Sequence, residues 1–210
     1  MQPRSKKVVA VCIALTALLA LLLLADVLLG SLLISPATVL RALTGSEDSY
    51  FSHIILSYRL PKALVAALVG MSLSVSGLQM QTVFRNPLAD PYILGISAGA
   101  GLGVALFIMG CSLWGATALG ALLSGMGYAL AACAGAAAVM LIMLVVAARV
   151  RDIMAMLILG VMVGSATAAI ISALQYFSKD SSLKAYVLWT MGNLGNVTTA
   201  QLYLLALATL

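Results

Sequence analysis

The chain has 210 residues, 63% of them hydrophobic and only 8% charged, and its mean hydropathy is +1.15. Soluble domains carry ~45–50% apolar and ~25% charged residues, so this chain cannot cover a water-facing surface: soluble enzymes, nucleic-acid binders and disordered tails are excluded, and its solvent is a lipid bilayer. The net charge of +5, from 11 Lys and Arg against 6 Asp and Glu, does not point to nucleic acid, because the basic residues are scattered between apolar runs, where loops meet headgroups.

Arg4, Lys6 and Lys7 precede an apolar run from Val8 to Ala25. The run exceeds the ~7–15 residues of a signal-peptide core and no small-x-small cleavage pattern follows promptly. Val8 to Leu29 reaches ~33 Å as a helix, enough to cross a bilayer core. It reads as a retained first span with its N-terminus in the cytoplasm, and Asp26 as a solvated charge at its outer end.

Pro36 opens a short stretch with apolar Val39, Leu40 and Leu43 against polar Thr38 and Arg41, which predicts a helix lying in the interface. Gly45 to Asp48 ends it, and the polar residues that follow read as water-exposed. A second span runs from about Pro61, suited to a helix's first turn, to Phe84. Gly70, Ser74 and Gly77 place small residues along one face, the pattern that lets helices approach closely in lipid. Gln79 and Gln81 stand at its far end. In Arg85 to Pro91, two prolines with Asn86 and Asp90 before them cannot continue a helix, so the segment is a turn at the opposite membrane face. Irregular backbone at membrane depth survives only where it is buried in protein or lines water, which leaves two readings open, a pathway element and an ordinary tight loop.

The third span starts near Ile93, and Gly95, Gly99 and Gly103 recur every four residues. No soluble strand precedes them and no phosphate-binding glycine pattern is present, so they read as helix-packing glycines. A loop is predicted around Gly110 to Gly115, a fourth span from about Gly125 to Ala148, and a polar break at Arg149, Arg151 and Asp152. The fifth span, Met154 to Phe177, carries Gly160, Gly164, Ala168 and Ser172 at period four. A short helix within residues 178–199 ends at glycine, at Gly192 and Gly195. A sixth span begins near Ala200 and reaches Leu210 after about half the length a crossing needs, so it is expected to continue past this chain. The fold class is thus all-α, a polytopic transmembrane bundle of about five complete spans and part of a sixth, with short interfacial helices on the outer side, read as a single domain over residues 1–210.

Cys12, Cys111 and Cys133 lack metal-ligand spacing and read as small packing residues; His53 reads as a loop residue. No Walker motif is present, so ATP hydrolysis belongs elsewhere, and no catalytic, metal or cofactor site is expected. Asp26, Asp90, Asp152 and Asp180 all fall at span ends or loops, whereas a proton-driven carrier more often holds an ionisable group within a span. An alternating-access conduit driven by a partner fits better; an intramembrane enzyme and a purely structural subunit are the rivals.

Arg59-Leu60-Pro61-Lys62, then Gln81, then Arg85 to Pro91, then Leu94-Gly95-Ile96-Ser97-Ala98-Gly99-Ala100 stand in order over ~50 residues. Together with Val187 to Thr198, they resemble the permease family of ABC importers for ferric siderophores, haem and cobalamin. The resemblance implies the N-terminal portion of a fold of about ten helices in the inner membrane, working as a homodimer with two cytoplasmic ATPase subunits below and a substrate-binding protein above. It implies docking of that protein at Arg59 and Lys62, and a cytoplasmic gate at Asn86 and Leu88 with Gln81 beside it. The cargo it implies is a metal chelate, with iron–siderophore first and haem or cobalamin as alternatives.

Overall fold

The computed structural model describes residues 3–30, 32–45, 50–90, 92, 94–113, 126–150, 152–195, 197 and 199–209. Glu47, Asp48, Pro91, Ile93, Gly115, Gly125 and Arg151 of the sequence reading lie outside them. The helices are α1 (Pro3–Leu28), α2 (Pro36–Leu43), α3 (Tyr50–Ile54), a π-helical turn (Ile55–Arg59), α4 (Leu60–Phe84), α5 (Ile96–Leu113), α6 (Met126–Arg149), α7 (Ile153–Phe177), α8 (Asp180–Thr190) and α9 (Thr199–Thr209). Four helical stretches among the described residues are long and apolar enough to cross a membrane: Lys6–Leu28, Tyr50–Phe84, Met126–Arg149 and Met154–Phe177. The apolar part of α5, Ile96–Gly110, is shorter.

Two expectations are corrected. α5 continues through Gly110 to Leu113, where a loop was expected to begin; a glycine inside an apolar helix costs only ~1 kcal/mol, which neighbouring turns absorb. Residues 50–59, where His53 was expected in a loop, are helical and run directly into α4, and most of them are exposed as expected. Tertiary burial on one face supports the helix, because Ser52 and Ile55 are buried there.

The described residues form two compact units, Met1–Met71 with Leu194–Leu210, and Ser72–Asn193. In the first, α1 is exposed along its apolar run as far as Leu22, with Leu15 60% and Leu21 63% exposed, as befits a lipid-facing helix. Only its end is gathered in: Val27 packs with Ile34, Val39, Ala42, Ile55 and Ala63. α2 starts where Ser35 Oγ accepts the Thr38 N–H at 3.2 Å, with Pro36 in the first turn. It buries Val39 and Ala42 while Leu40 and Leu43 face outward, so its inward face is narrower than the apolar pattern suggested.

In the second unit, α5 is the hub. A Cβ placed on Gly99 would come within 2.5 Å of Val139 Cγ2 and 2.7 Å of the Gly135 carbonyl oxygen on α6. A Cβ on Gly103 or Gly135 would overlap the carbonyl oxygen of Ala131 or of Gly99. On another face, Gly95 (φ 76°) approaches the Gly160 carbonyl oxygen and the Gly164 nitrogen of α7, each 3.1 Å from a Cβ placed there. Lipid tails give apolar side chains no reason to prefer one another, so helices in a bilayer associate through such close contact. Val104, Ala105 and Met109 pack against Tyr186 of α8, and burial pushes the Tyr186 phenol above its ordinary range.

α7 begins at Asp152, whose carboxylate accepts the N–H groups of Met154 and Ala155. Within it the hydroxyls of Ser165, Thr167 and Ser172 each donate to the carbonyl four residues earlier. These three hydroxyls therefore do not depend on water the hydrocarbon lacks.

Candidate pathway turn and charged edge

The Pro-broken turn is closed by a network of its own hydrogen bonds. At the end of α4 the Asn86 N–H donates to the Gln81 carbonyl (3.2 Å) and the Arg85 N–H to the Thr82 carbonyl (3.3 Å). This is the paired bonding of a Schellman cap, whose left-handed position usually holds glycine; here Arg85 occupies it at φ 48°. Asn86 Oδ1 then accepts the Leu88 N–H at 2.9 Å, an Asx turn beside Pro87. Gln81 Nε2 donates to the Pro87 carbonyl at 3.0 Å, tying the last turn of α4 to the loop. The Ala89 N–H donates to the Asn86 carbonyl, and Asp90 accepts the Tyr92 N–H.

Phe84, Ala89 and Leu94 fold inward onto Val139 and Met143, so the turn is anchored on both sides of its tip. Leu88 is 81% exposed and projects away from this packing, while Asn86 is half-buried. The arrangement offers a stiff loop carrying one outward apolar side chain.

The charged edge lies in the first unit. Arg59 Nη1 donates to the carbonyls of Val27 (2.7 Å) and Leu28 (3.1 Å), and Nη2 to that of Leu32. A cation on the last carbonyls of a helix satisfies groups that have no partner within it and complements the negative end of its dipole. Arg59 therefore caps α1 from 31 residues away. A Cβ on Gly30 would lie 2.8 Å from Arg59 Nη2, so the bare backbone at Gly30 makes room for the guanidinium. Lys62 Nζ pairs with Asp26 Oδ1 at 3.0 Å, and the two side chains are 47% and 35% exposed. Asp26 is thus ion-paired, where the sequence suggested a solvated charge. Asp26, Tyr50, Tyr58, Arg59 and Lys62 line an open cavity of about 320 Å³. His53 faces Tyr58 edge-on and its Nδ1 lies 3.2 Å from Ser57 Oγ.

Of the predicted packing residues, the structure brings Gly95, Gly99, Gly103, Gly160 and Gly164 into helix–helix contacts. It does not do so at Gly70 or Gly77, where an added side chain would meet nothing within 4 Å, and Ser74 is exposed. The α4 stripe has the right period, but an added side chain at its two glycines would be in open space. Sequence reasoning missed Gly135, the partner of Gly99 and Gly103. Among the described residues no three His, Cys, Asp or Glu side chains converge as a metal site.

The chain is similar to the hemin transport system permease protein HmuU of Yersinia pestis, with 37% identity over 179 residues, 85% of this chain and 51% of that protein. It is 35% identical over 184 residues to the vitamin B12 import system permease protein BtuC of Salmonella arizonae, covering 83% of this chain and 53% of that one. It therefore spans about half the length of the curated relatives it matches. Its fold is similar to that of a chain in a structure reported as an inward-facing conformation of a metal-chelate type ABC transporter. The TM-score is 0.72 at 24% identity, over 92% of this chain and 56% of that one. The family pattern matches from residue 18 to residue 210, and the chain belongs to the FecCD transport family.

Proposed function

We propose that this chain forms spans of the permease subunit of an ATP-driven importer that carries a metal chelate across the inner membrane, with an iron–siderophore as cargo. The match to the FecCD transport family over residues 18–210 carries the reading. The relatives named above are permeases for hemin and for vitamin B12, both metal ions held in an organic ring. These 210 residues contain no Walker motif, and ATP hydrolysis is assigned in this reading to a separate partner. The assembly proposed is two permease copies, two cytoplasmic ATPase subunits and an outer binding protein, with the N-terminus of the permease in the cytoplasm.

In this reading the turn from Arg85 to Asp90 borders the cytoplasmic mouth. Gln81 and Asn86 hold its backbone, and Leu88 is the apolar side chain that closes or clears the opening. Uptake of labelled cargo by the complete permease with its partners tests the proposal. Ferric siderophore should be accumulated with ATP and should not be displaced by excess hemin or cobalamin. Accumulation of either of those instead would reassign the cargo, and no ATP-dependent uptake of any of the three would remove the reading.

Arg59 and Lys62 form the docking edge for the binding protein, with divided roles. Arg59 is committed to the end of α1 and shapes the edge, whereas Lys62 is 47% exposed and can exchange Asp26 for a partner carboxylate. Rim charges chiefly set association rate and register. Lys62→Glu is expected to slow association with the binding protein several-fold at low salt and to flatten its salt dependence, with little change in stability. Stopped-flow mixing of the reconstituted complex checks this, and unchanged kinetics would leave Lys62 as a headgroup contact only.

A further inference from the structure

Asp26 stands where a carboxylate is locally unfavourable. It lies in the last turn of α1, and the C-terminal end of a helix already carries partial negative charge on its carbonyls. Its partner is Lys62, whose Nζ lies 3.0 Å from Oδ1. Both side chains are open to the surroundings, and exposed ion pairs add little to stability. The end of α1 does not need the pair either, because Arg59 donates to the carbonyls of Val27, Leu28 and Leu32. Stability alone therefore gives no sufficient account of a carboxylate at this position.

The cavity beside the pair supplies one. It is open, about 320 Å³ in volume, and walled by Tyr50, Ile54 and Tyr58, with room for a side chain from outside to enter. Of the two cations that line it, Arg59 is engaged with backbone carbonyls, so Lys62 is the one that an entering acidic side chain would bind. Asp26 reaches it first. An ammonium bonded to an internal carboxylate presents a pair of no net charge, which weakens its pull on a second carboxylate. Exchange stays easy, because the ammonium has three donors and can hold both carboxylates while one replaces the other.

We propose that Asp26 masks Lys62: it is an internal competitor for the acidic side chain of the binding protein and leaves Lys62 when that protein docks. The proposal rests on the docking edge described above and adds to it a residue that opposes docking. With Asp26 beside it to retake Lys62, the docked complex comes apart faster than one built on an unpaired lysine.

The test is stopped-flow mixing of the complete permease, reconstituted in lipid with its ATPase subunits, with the importer's binding protein carrying a fluorophore. Asp26→Asn should tighten binding about two- to fivefold, the range in which exposed ion pairs fall, with slower dissociation as part of the gain. Asp26→Glu, which keeps a carboxylate, should stay near the parent. In a Lys62→Gln background the same Asp26→Asn change should alter binding by under about twofold, because no cation remains to be unmasked. Loss of a negative charge by itself would favour an acidic partner equally in both backgrounds, so an equal gain in the two would overturn the proposal. Asp26→Ser replaces Asp26→Asn should that variant fail to fold. Parent-like binding by the folded variant, alongside slowed association in Lys62→Glu, would remove the mask and leave the docking edge standing. Parent-like binding by both Asp26→Asn and Lys62→Glu would remove the edge and the mask together.

Discussion

Replacing Gly103 or Gly135 with alanine is expected to break the α5–α6 contact and with it the second unit. The added Cβ would overlap the Ala131 carbonyl oxygen in the first case and the Gly99 carbonyl oxygen in the second. Both obstacles are backbone atoms, so no rotamer change relieves them and the helices must move apart. Overpacking a side-chain contact costs ~1–3 kcal/mol, and this collision, against rigid main chain, should cost about 3 kcal/mol or more. Separation also forfeits the dispersion contacts that hold helices together where no hydrophobic force acts between them. Gly70→Ala is the control, since its Cβ meets nothing within 4 Å, and alanine's better helix propensity, ~1 kcal/mol, should leave that variant at least as stable. Unfolding in graded denaturing detergent separates the two outcomes. Equal midpoints for Gly103→Ala and Gly70→Ala would show that the crossing is not close.

Arg59→Gln is the second substitution with a large expected effect. It removes the charge from three carbonyls at and just beyond the end of α1. Hydrogen bonds to charged groups contribute ~1.5–3 kcal/mol, and a buried acceptor left without a donor adds its own desolvation penalty. Arg59 is half-buried, so a loss of about 2 kcal/mol is expected in all. Arg59→Lys should not restore it, because one ammonium cannot reproduce the guanidinium fork. Lys62→Gln, which breaks an exposed ion pair, should cost under about 1 kcal/mol. Amide hydrogen exchange is the sharper reading, with protection near the end of α1 expected to fall in Arg59→Gln and to persist in Lys62→Gln. A protected α1 end in folded Arg59→Gln would show that the cap contributes nothing.

Much of this was legible because lipid leaves the sequence few choices. Long apolar runs must be helices, and polar punctuation marks their ends, so Phe84, Phe177 and the break at Asp152 fall where composition changes. The period-four glycines of α5 were legible for the same reason. Their partner was not singled out, although Gly127, Ala131 and Gly135 are also four apart; in a segment crowded with alanine the signal has little contrast. The Asp26–Lys62 pair joins residues 36 apart, and no local pattern reports a partner so distant in the chain. Arg59 illustrates the limit best. A cation just before a helix looks locally unfavourable, which invites an external explanation, yet its charge serves the end of a different helix. The stripe at Gly70 and Gly77 shows the converse, a correct period whose glycines leave open space rather than a close crossing.

The π-helical turn at Ile55–Arg59 has a consequence for how this chain tolerates insertions and deletions. The helical stretch from Tyr50 to Phe84 is continuous over 35 residues, and an α-helix advances about 100° per residue. A π turn takes up one residue more than an α turn, so it acts as a phase shift between what precedes it and α4. Deleting one residue inside it would let regular α-helix form and would improve the local hydrogen bonding. It would also rotate the face carrying Ser52 by about 100° relative to Ala63 and Val65, out of the core it now enters. The backbone here is kept locally suboptimal so that residues before and within α4, Ile55 and Ala63, meet the same core beside the end of α1.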